Sequence, residues 1–210
     1  LRGEFLTLRG QLLESDRAIR SDGFALGSNV AFDLAAFERV EVLKGPSGFY
    51  GQGSIGGFVN FVRKKPKAEF EASVSQQVAS FDTYRTEADI TGALTENKNL
   101  RGRMSAAYDN AGSYVDFVKS ERSMLAPSLE ARIGDRTRVL LNLLYQEEEF
   151  VFNPGVPLRE VGEFSEIPNI PRSFYFGNPD DEKSDTAVYN ATLRIDHELS
   201  DRWLGSLLLQ

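Results

Sequence analysis

The sequence predicts a predominantly β protein in two parts. Around a glycine-rich centre, residues 37–66 form two short runs of aromatic and β-branched residues. From residue 69 onward, apolar residues recur at every second position through seven segments. Charge also changes sign: residues 1–68 hold 10 Lys/Arg against 7 Asp/Glu, and residues 69–210 hold 14 against 24. A boundary is therefore expected near Pro66, giving units 1–68 and 69–210, the second with a long loop at about 147–186.

Within the first unit, Gly51-Gln52-Gly53-Ser54-Ile55-Gly56-Gly57 matches the dinucleotide fingerprint G-x-G-x-x-G. That fingerprint works only where it leaves a strand and opens a helix facing the pyrophosphate. Here Phe58-Val59-Asn60-Phe61-Val62 follows, a strand-forming run that ends in a basic cluster and Pro66. Nucleotide binding is excluded on context. The expectation is a strand at 40–43, a tight glycine-rich loop, and a strand at 57–62, with Pro46 barring continuation of the first.

The seven alternating segments are 70–81, 84–94, 100–109, 125–133, 138–146, 187–196 and 203–210. In the second, Tyr84, Thr86, Ala88, Ile90, Gly92 and Leu94 share one face, against Arg85, Glu87, Asp89 and Thr91. Such lengths suit tilted strands crossing a bilayer. The connectors at 95–99, 134–137 and 200–202 are tight and polar, while those on the other side include a longer one at 112–122 and the long loop. Short turns on one side and longer loops on the other fit a transmembrane β-barrel. A soluble antiparallel sandwich with its apolar face inward has the same alternation. The long loop holds ten carboxylates, three basic residues and five prolines, which reads as a solvated loop without regular pairing.

Composition closes off several classes. The net charge of −7 gives no basic stripe to neutralise phosphates, so no nucleic-acid partner is expected. The absence of cysteine rules out disulfides and thiolate metal sites. His197 is the one histidine, too few donors for an iron site. No nucleophile–base set supports hydrolysis, and the loop carboxylates match no calcium-binding loop, so neither an enzyme nor a metal site is expected.

The string Glu38-Arg39-Val40-Glu41-Val42-Leu43-Lys44-Gly45-Pro46-Ser47, then Tyr50-Gly51, Gly56-Gly57, Asn60 and Lys65-Pro66, resembles the plug-domain signature of TonB-dependent outer-membrane receptors. Leu8-Arg9-Gly10 and Asp22-Gly23 resemble two earlier plug landmarks, while Gln11 replaces a usual aromatic and Ile55 a common proline. The resemblance implies an all-β membrane barrel, about seven of roughly 22 antiparallel strands, preceded by part of an α+β plug domain. No secretion signal is visible where the sequence begins, at Leu1, so an internal fragment is expected, with the TonB box upstream.

By position relative to those landmarks, the ligand-contact candidates at the plug apex are Arg9, Gln11, Phe24, Asn29 and Phe32; for Phe24 and Phe32 a place in the plug core is an equal expectation. Glu38, Arg39 and Glu41 are expected to tie the plug to the barrel wall through ionic contacts, since buried charges must be paired. Gly45, Pro46, Tyr50, Gly51, Gly53, Gly56, Gly57 and Asn60 are expected to be structural. The segments 167–180 and 193–203 resemble receptors for ferric-hydroxamate siderophores. The implied function is import of a ferric siderophore across the outer membrane of a Gram-negative cell, energised through TonB. The iron arrives as a chelate, so no resident cofactor is expected; the partners are the siderophore, TonB and outer-membrane lipid. Cobalamin, haem or an oligosaccharide is the alternative cargo, and a passive porin or adhesin barrel would need no plug.

Overall fold

A computed structural model of the chain describes residues 7–8, 10–13, 18–25, 32–45, 56–161, 164–166 and 168–210. Two strands, β1 (Thr7–Leu8) and β2 (Gln11–Leu12), pair as a short hairpin. A four-stranded mixed sheet follows, built from β3 (Ile19–Ser21), β4 (Phe24–Ala25), β5 (Phe37–Lys44) and β6 (Gly57–Arg63) in the order β4-β3-β6-β5. The expected strands at 40–43 and 57–62 thus both form, with β5 starting three residues earlier. β6 is central, parallel to β3 and antiparallel to β5, and nearly all of it is buried. That is why its sequence reads as a continuous apolar run. At the mouth of the glycine loop, Gly45 N–H donates to Gly56 O at 3.1 Å, and Gly45 and Gly57 take φ of 112° and 126°. A side chain would strain the backbone at either position.

The larger sheet is an antiparallel meander of β7 (Glu71–Ala79), β8 (Thr83–Ala93), β9 (Leu100–Ala111), β10 (Ser120–Ile133), β11 (Thr137–Val151), β14 (Lys183–Ser200) and β15 (Trp203–Leu209). Between β11 and β14 the long loop carries a small hairpin, β12 (Arg159–Val161) with β13 (Phe164–Glu166). All seven expected strands form, and four run longer than the alternation suggests, β9 by two residues and three others by more. β10 begins at Ser120, β11 reaches Val151, and β14 spans 18 residues. The carboxylate run Glu147-Glu148-Glu149, expected in the loop, is strand paired to Glu121–Ser123 on one side and Asp185–Ala187 on the other. A membrane-crossing strand needs about 9–11 residues. Beyond that length the outer face also meets water, so the apolar alternation stops while the hydrogen-bonded ladder continues.

Burial separates the barrel from the sandwich. The apolar face is the exposed one, with Tyr84, Ile90, Met104, Leu125, Leu141 and Tyr189 all open. The polar face is covered: Thr91, Ser105, Glu130, Asn142, Thr192 and Asp196 are buried. A sandwich would show the reverse. This inverted arrangement is that of a wall with lipid outside and a polar lumen inside. The four-stranded sheet fills the lumenal side, where Ala35, Ala36 and Phe37 form one core with Ala107, Met124 and Leu144 of the wall.

Candidate functional site

The seam between the small sheet and the wall centres on Asp33, which ends the segment entering a 3₁₀ turn, Leu34–Ala36. Its Oδ1 accepts from Ala35 N–H at 2.9 Å and so caps that turn. The same carboxylate takes the fork of Arg85 on β8, at 2.7 and 2.9 Å. Arg85 Nε donates to Glu87 at 2.7 Å, and its Nη1 lies 3.5 Å from Asp109 on β9. Asp33 N–H in turn donates to Gln146 of β11 at 2.8 Å. One residue therefore engages two strands of the wall directly and a third through Arg85. Burial alone raises its carboxyl pKa, but hydrogen bonds from Arg85 and Ala35 outweigh that and hold it below the ordinary carboxylate value.

A second clasp lies towards the short-turn end. Asp89 of β8 receives Lys64 at 3.2 Å, Arg103 at 2.8 Å and Ser105 at 2.6 Å. Arg103 Nη1 also donates to Lys65 O at 3.0 Å, and Lys67 N–H donates to Thr91 Oγ1 at 2.9 Å. Arg63, at the end of β6, hydrogen-bonds Asn190 of β14. Burial pulls the Arg63 guanidinium below its ordinary pKa, opposed by the charge of Asp22. Lys64, Arg63 and Asp33 thus tie the sheet to three wall strands, β8, β11 and β14.

At the long-loop end, a cleft of about 490 Å³ opens on the lumenal side, lined by Asp109, Ser113, Lys119, Arg122, Phe150 and Asn153. The long loop folds over its neighbour here. Tyr175 packs on Val115 and Val151, donates its hydroxyl to Phe152 O at 2.8 Å and meets the Phe117 ring at 6.1 Å. Asp116 N–H donates to Ser173 O at 2.8 Å. Phe81 and Phe117 both hold positive φ, 62° and 67°, in adjacent loops, and both rings are exposed. For a bulky residue that backbone is strained, and strain of this kind gathers where side chains must be presented.

Of the apex candidates, Arg9 and Asn29 lie outside the described residues, as does the side chain of Gln11, whose backbone sits in β2. Phe24 is half-buried in β4, while Phe32 meets Phe37 edge-on at 6.3 Å and belongs to the shared core. The ionic contacts expected from Glu38, Arg39 and Glu41 to the wall run within the small sheet. Arg39 pairs with Glu41 at 2.8 Å and Glu38 at 3.4 Å, all three exposed. Glu41 also accepts from Asn60 at 3.0 Å, and Asn60 accepts from Gly23 N–H at 2.9 Å, joining β5, β6 and the β3–β4 turn. A guanidinium surrounded by near neighbours on an edge strand satisfies itself locally. Arg39 and Glu41 do line a polar cleft of about 200 Å³ shared with Asn142, Thr192 and Arg194 of the wall. Pro46, Tyr50, Gly51 and Gly53 lie outside the described residues. Asp33 and Arg85 went unread because single charges in an alternating pattern carry no mark of their partner.

No protein-family model matches the chain. The metal-pseudopaline receptor of Pseudomonas aeruginosa is 37% identical over 174 residues, covering 81% of this chain and 24% of the receptor. The ferripyoverdine receptor of the same species is 32% identical over 196 residues, 90% of this chain and 23% of its own length. Its solved structure bound to ferripyoverdine superposes with a TM-score of 0.84 at 28% identity, covering 96% of this chain and 28% of that one. The chain spans about a quarter of the length of the curated relatives it matches. The four-stranded sheet lying inside an inverted β-wall is their plug against their barrel. The chain belongs to the TonB-dependent outer-membrane receptors.

Proposed function

We propose that this chain supplies plug and first wall strands to a receptor that imports a ferric siderophore into the periplasm, energised through TonB. The observation that carries this reading is the clasped seam. A folded sheet is held inside the wall by ion pairs at the buried Asp33 and the half-buried Asp89, a gate that a passive porin does not need. Its cargo side is the cleft under the Tyr175 loop, whose mixed apolar and charged lining suits a chelate read by its organic shell. The protein then binds no bare metal, holds no resident cofactor and catalyses no reaction.

One observation favours a wider cargo. The relative at 37% identity is a receptor for metal-pseudopaline, so chelates of metals other than iron belong in the test panel. The experiment is growth of an iron-starved knockout, complemented with the full-length gene, on ferric siderophores, metal chelates, haem and cobalamin. Rescue by a ferric siderophore that is lost on deletion of TonB is the expected result. Rescue by cobalamin alone, or TonB-independent rescue, would overturn it.

A further inference from the structure

Near its short-turn end the lipid-facing side of the wall carries a groove of about 450 Å³. Its floor is Gly92 of β8 and Gly102 of β9, directly opposed in the ladder. Phe70 stands over one glycine and Leu94 over the other: a Cβ on Gly92 would meet Phe70 at 3.5 Å, and one on Gly102 would meet Leu94 at 3.2 Å. Ile90 and Met104, paired one row above, form the upper wall and are 48% and 38% exposed. Adjacent strands lie about 4.8 Å apart. Phe70 and Leu94 fold into the space over the two glycines on these neighbouring strands, and the groove that remains runs between them and the Ile90–Met104 row.

The groove is continuous with the apolar outer face, whose exposed Tyr84 and Tyr108 lie farther along the same two strands and Leu125 and Tyr189 on β10 and β14. The solvent of that face is lipid. A groove left empty forfeits dispersion contacts along its length, and its mostly apolar lining gives water few partners. The slot also lies beside the tight 95–99 turn, closed by Leu94 N–H to Leu100 O at 2.7 Å. Short turns of outer-membrane barrels are periplasmic, and the periplasmic leaflet of that membrane is glycerophospholipid.

We propose that the Gly92–Gly102 groove seats one acyl chain of a periplasmic-leaflet glycerophospholipid at a fixed place on the wall. The proposal rests on the outer-membrane reading and not on which chelate is carried. The full-length receptor in a mild detergent, titrated with palmitoyl-oleoyl phosphatidylethanolamine and weighed intact by native mass spectrometry, retains one phospholipid where annular lipid has been stripped. Gly92→Leu, which fills the slot, lowers that retention at least tenfold. Gly92→Ala, whose new methyl sits at ordinary contact distance from Phe70 and so preserves folding, lowers it several-fold.

A second readout uses lipid brominated on the acyl chain. A tryptophan placed by Met104→Trp is quenched more strongly than one placed by Leu125→Trp, an outer-face site away from the groove. Equal retention by all three proteins, equal quenching at both sites, or detergent alone in the groove at excess phospholipid would overturn the proposal. Chelate affinity, measured on the same samples, stays at the parental value, so failure here is distinguishable from failure of the import reading.

Discussion

The Asp33 carboxylate serves as turn cap and as partner of Arg85 at once, and substitution separates the two roles. Asn keeps a capping oxygen and loses the charge; Ala loses both. Breaking a buried pair costs about 3–5 kcal/mol when the remaining charge is stranded. Arg85 retains Glu87 and Asp109, so the cost of Asp33→Asn should lie at or below the low end of that range, and Asp33→Ala should cost roughly another 1 kcal/mol for the lost cap. Thermal unfolding of the full receptor in detergent checks the order. The pH dependence follows from the lowered carboxyl. Its contribution is complete above the ordinary value of 3.8 and disappears as pH falls below that, through the native pKa. Above pH 3.8 the parent should therefore keep the full contribution that Asp33→Asn lacks, and the gap between their melting temperatures should narrow as pH falls below that value. None of this was legible in the chain, because Arg85 lies 52 positions away and looks like any lumen-facing charge.

Strands were legible wherever lipid imposes alternation and illegible where both faces are wet. Glu147, Glu148 and Glu149 read as loop by charge, yet Arg122 pairs with Glu148 at 2.9 Å on the inner face and Lys183 with Glu149 at 2.6 Å on the outer. Pro127 sits within β10, and the β10–β11 register skips from Leu125 to Ser128 there, which is how a central strand accommodates a residue without an N–H. The outer face sets a substitution test at this scale. Leu143→Arg, in the lipid band, should cost about 2–4 kcal/mol if it lies near the bilayer midplane, whereas Thr192→Ser, on the inner face, should change folding into bilayers by less than about 1 kcal/mol. Denaturant titration in lipid vesicles measures both. For the loop that covers the cleft, Tyr175→Phe removes the hydroxyl bond to Phe152 O, worth about 1 kcal/mol. Limited proteolysis within residues 152–182 should then run a few-fold faster. Burial and the nearby Glu182 raise the Tyr175 pKa, so the donor keeps its proton at any pH at which cells grow.

The molecule as a whole is a wall with its core on the concave side and its apolar residues on the convex one, and that geometry decides how it behaves outside a membrane. Among the described residues β7 and β15 each have one ladder edge unpaired, and the outer face exposes Ile90, Leu125, Tyr189 and Leu207 on four strands of the sheet. Exposed edges of this length template pairing with further copies, and an apolar face of this extent has no soluble solution. The plug half does not rescue it, since its core residues Ala35, Ala36 and Phe37 are completed by Ala107, Met124 and Leu144 of the wall. The alternation and the plug motif made this architecture readable. The shared core was not readable, because alanine and methionine on a mostly polar face carry no periodic mark. Expressed alone, residues 1–210 should enter inclusion bodies and give β-rich but heterogeneous material on refolding into detergent, measured by circular dichroism and size-exclusion chromatography. A monodisperse protein in aqueous buffer with one cooperative melting transition would contradict the inverted wall, since such behaviour requires the apolar face to be covered by the chain itself.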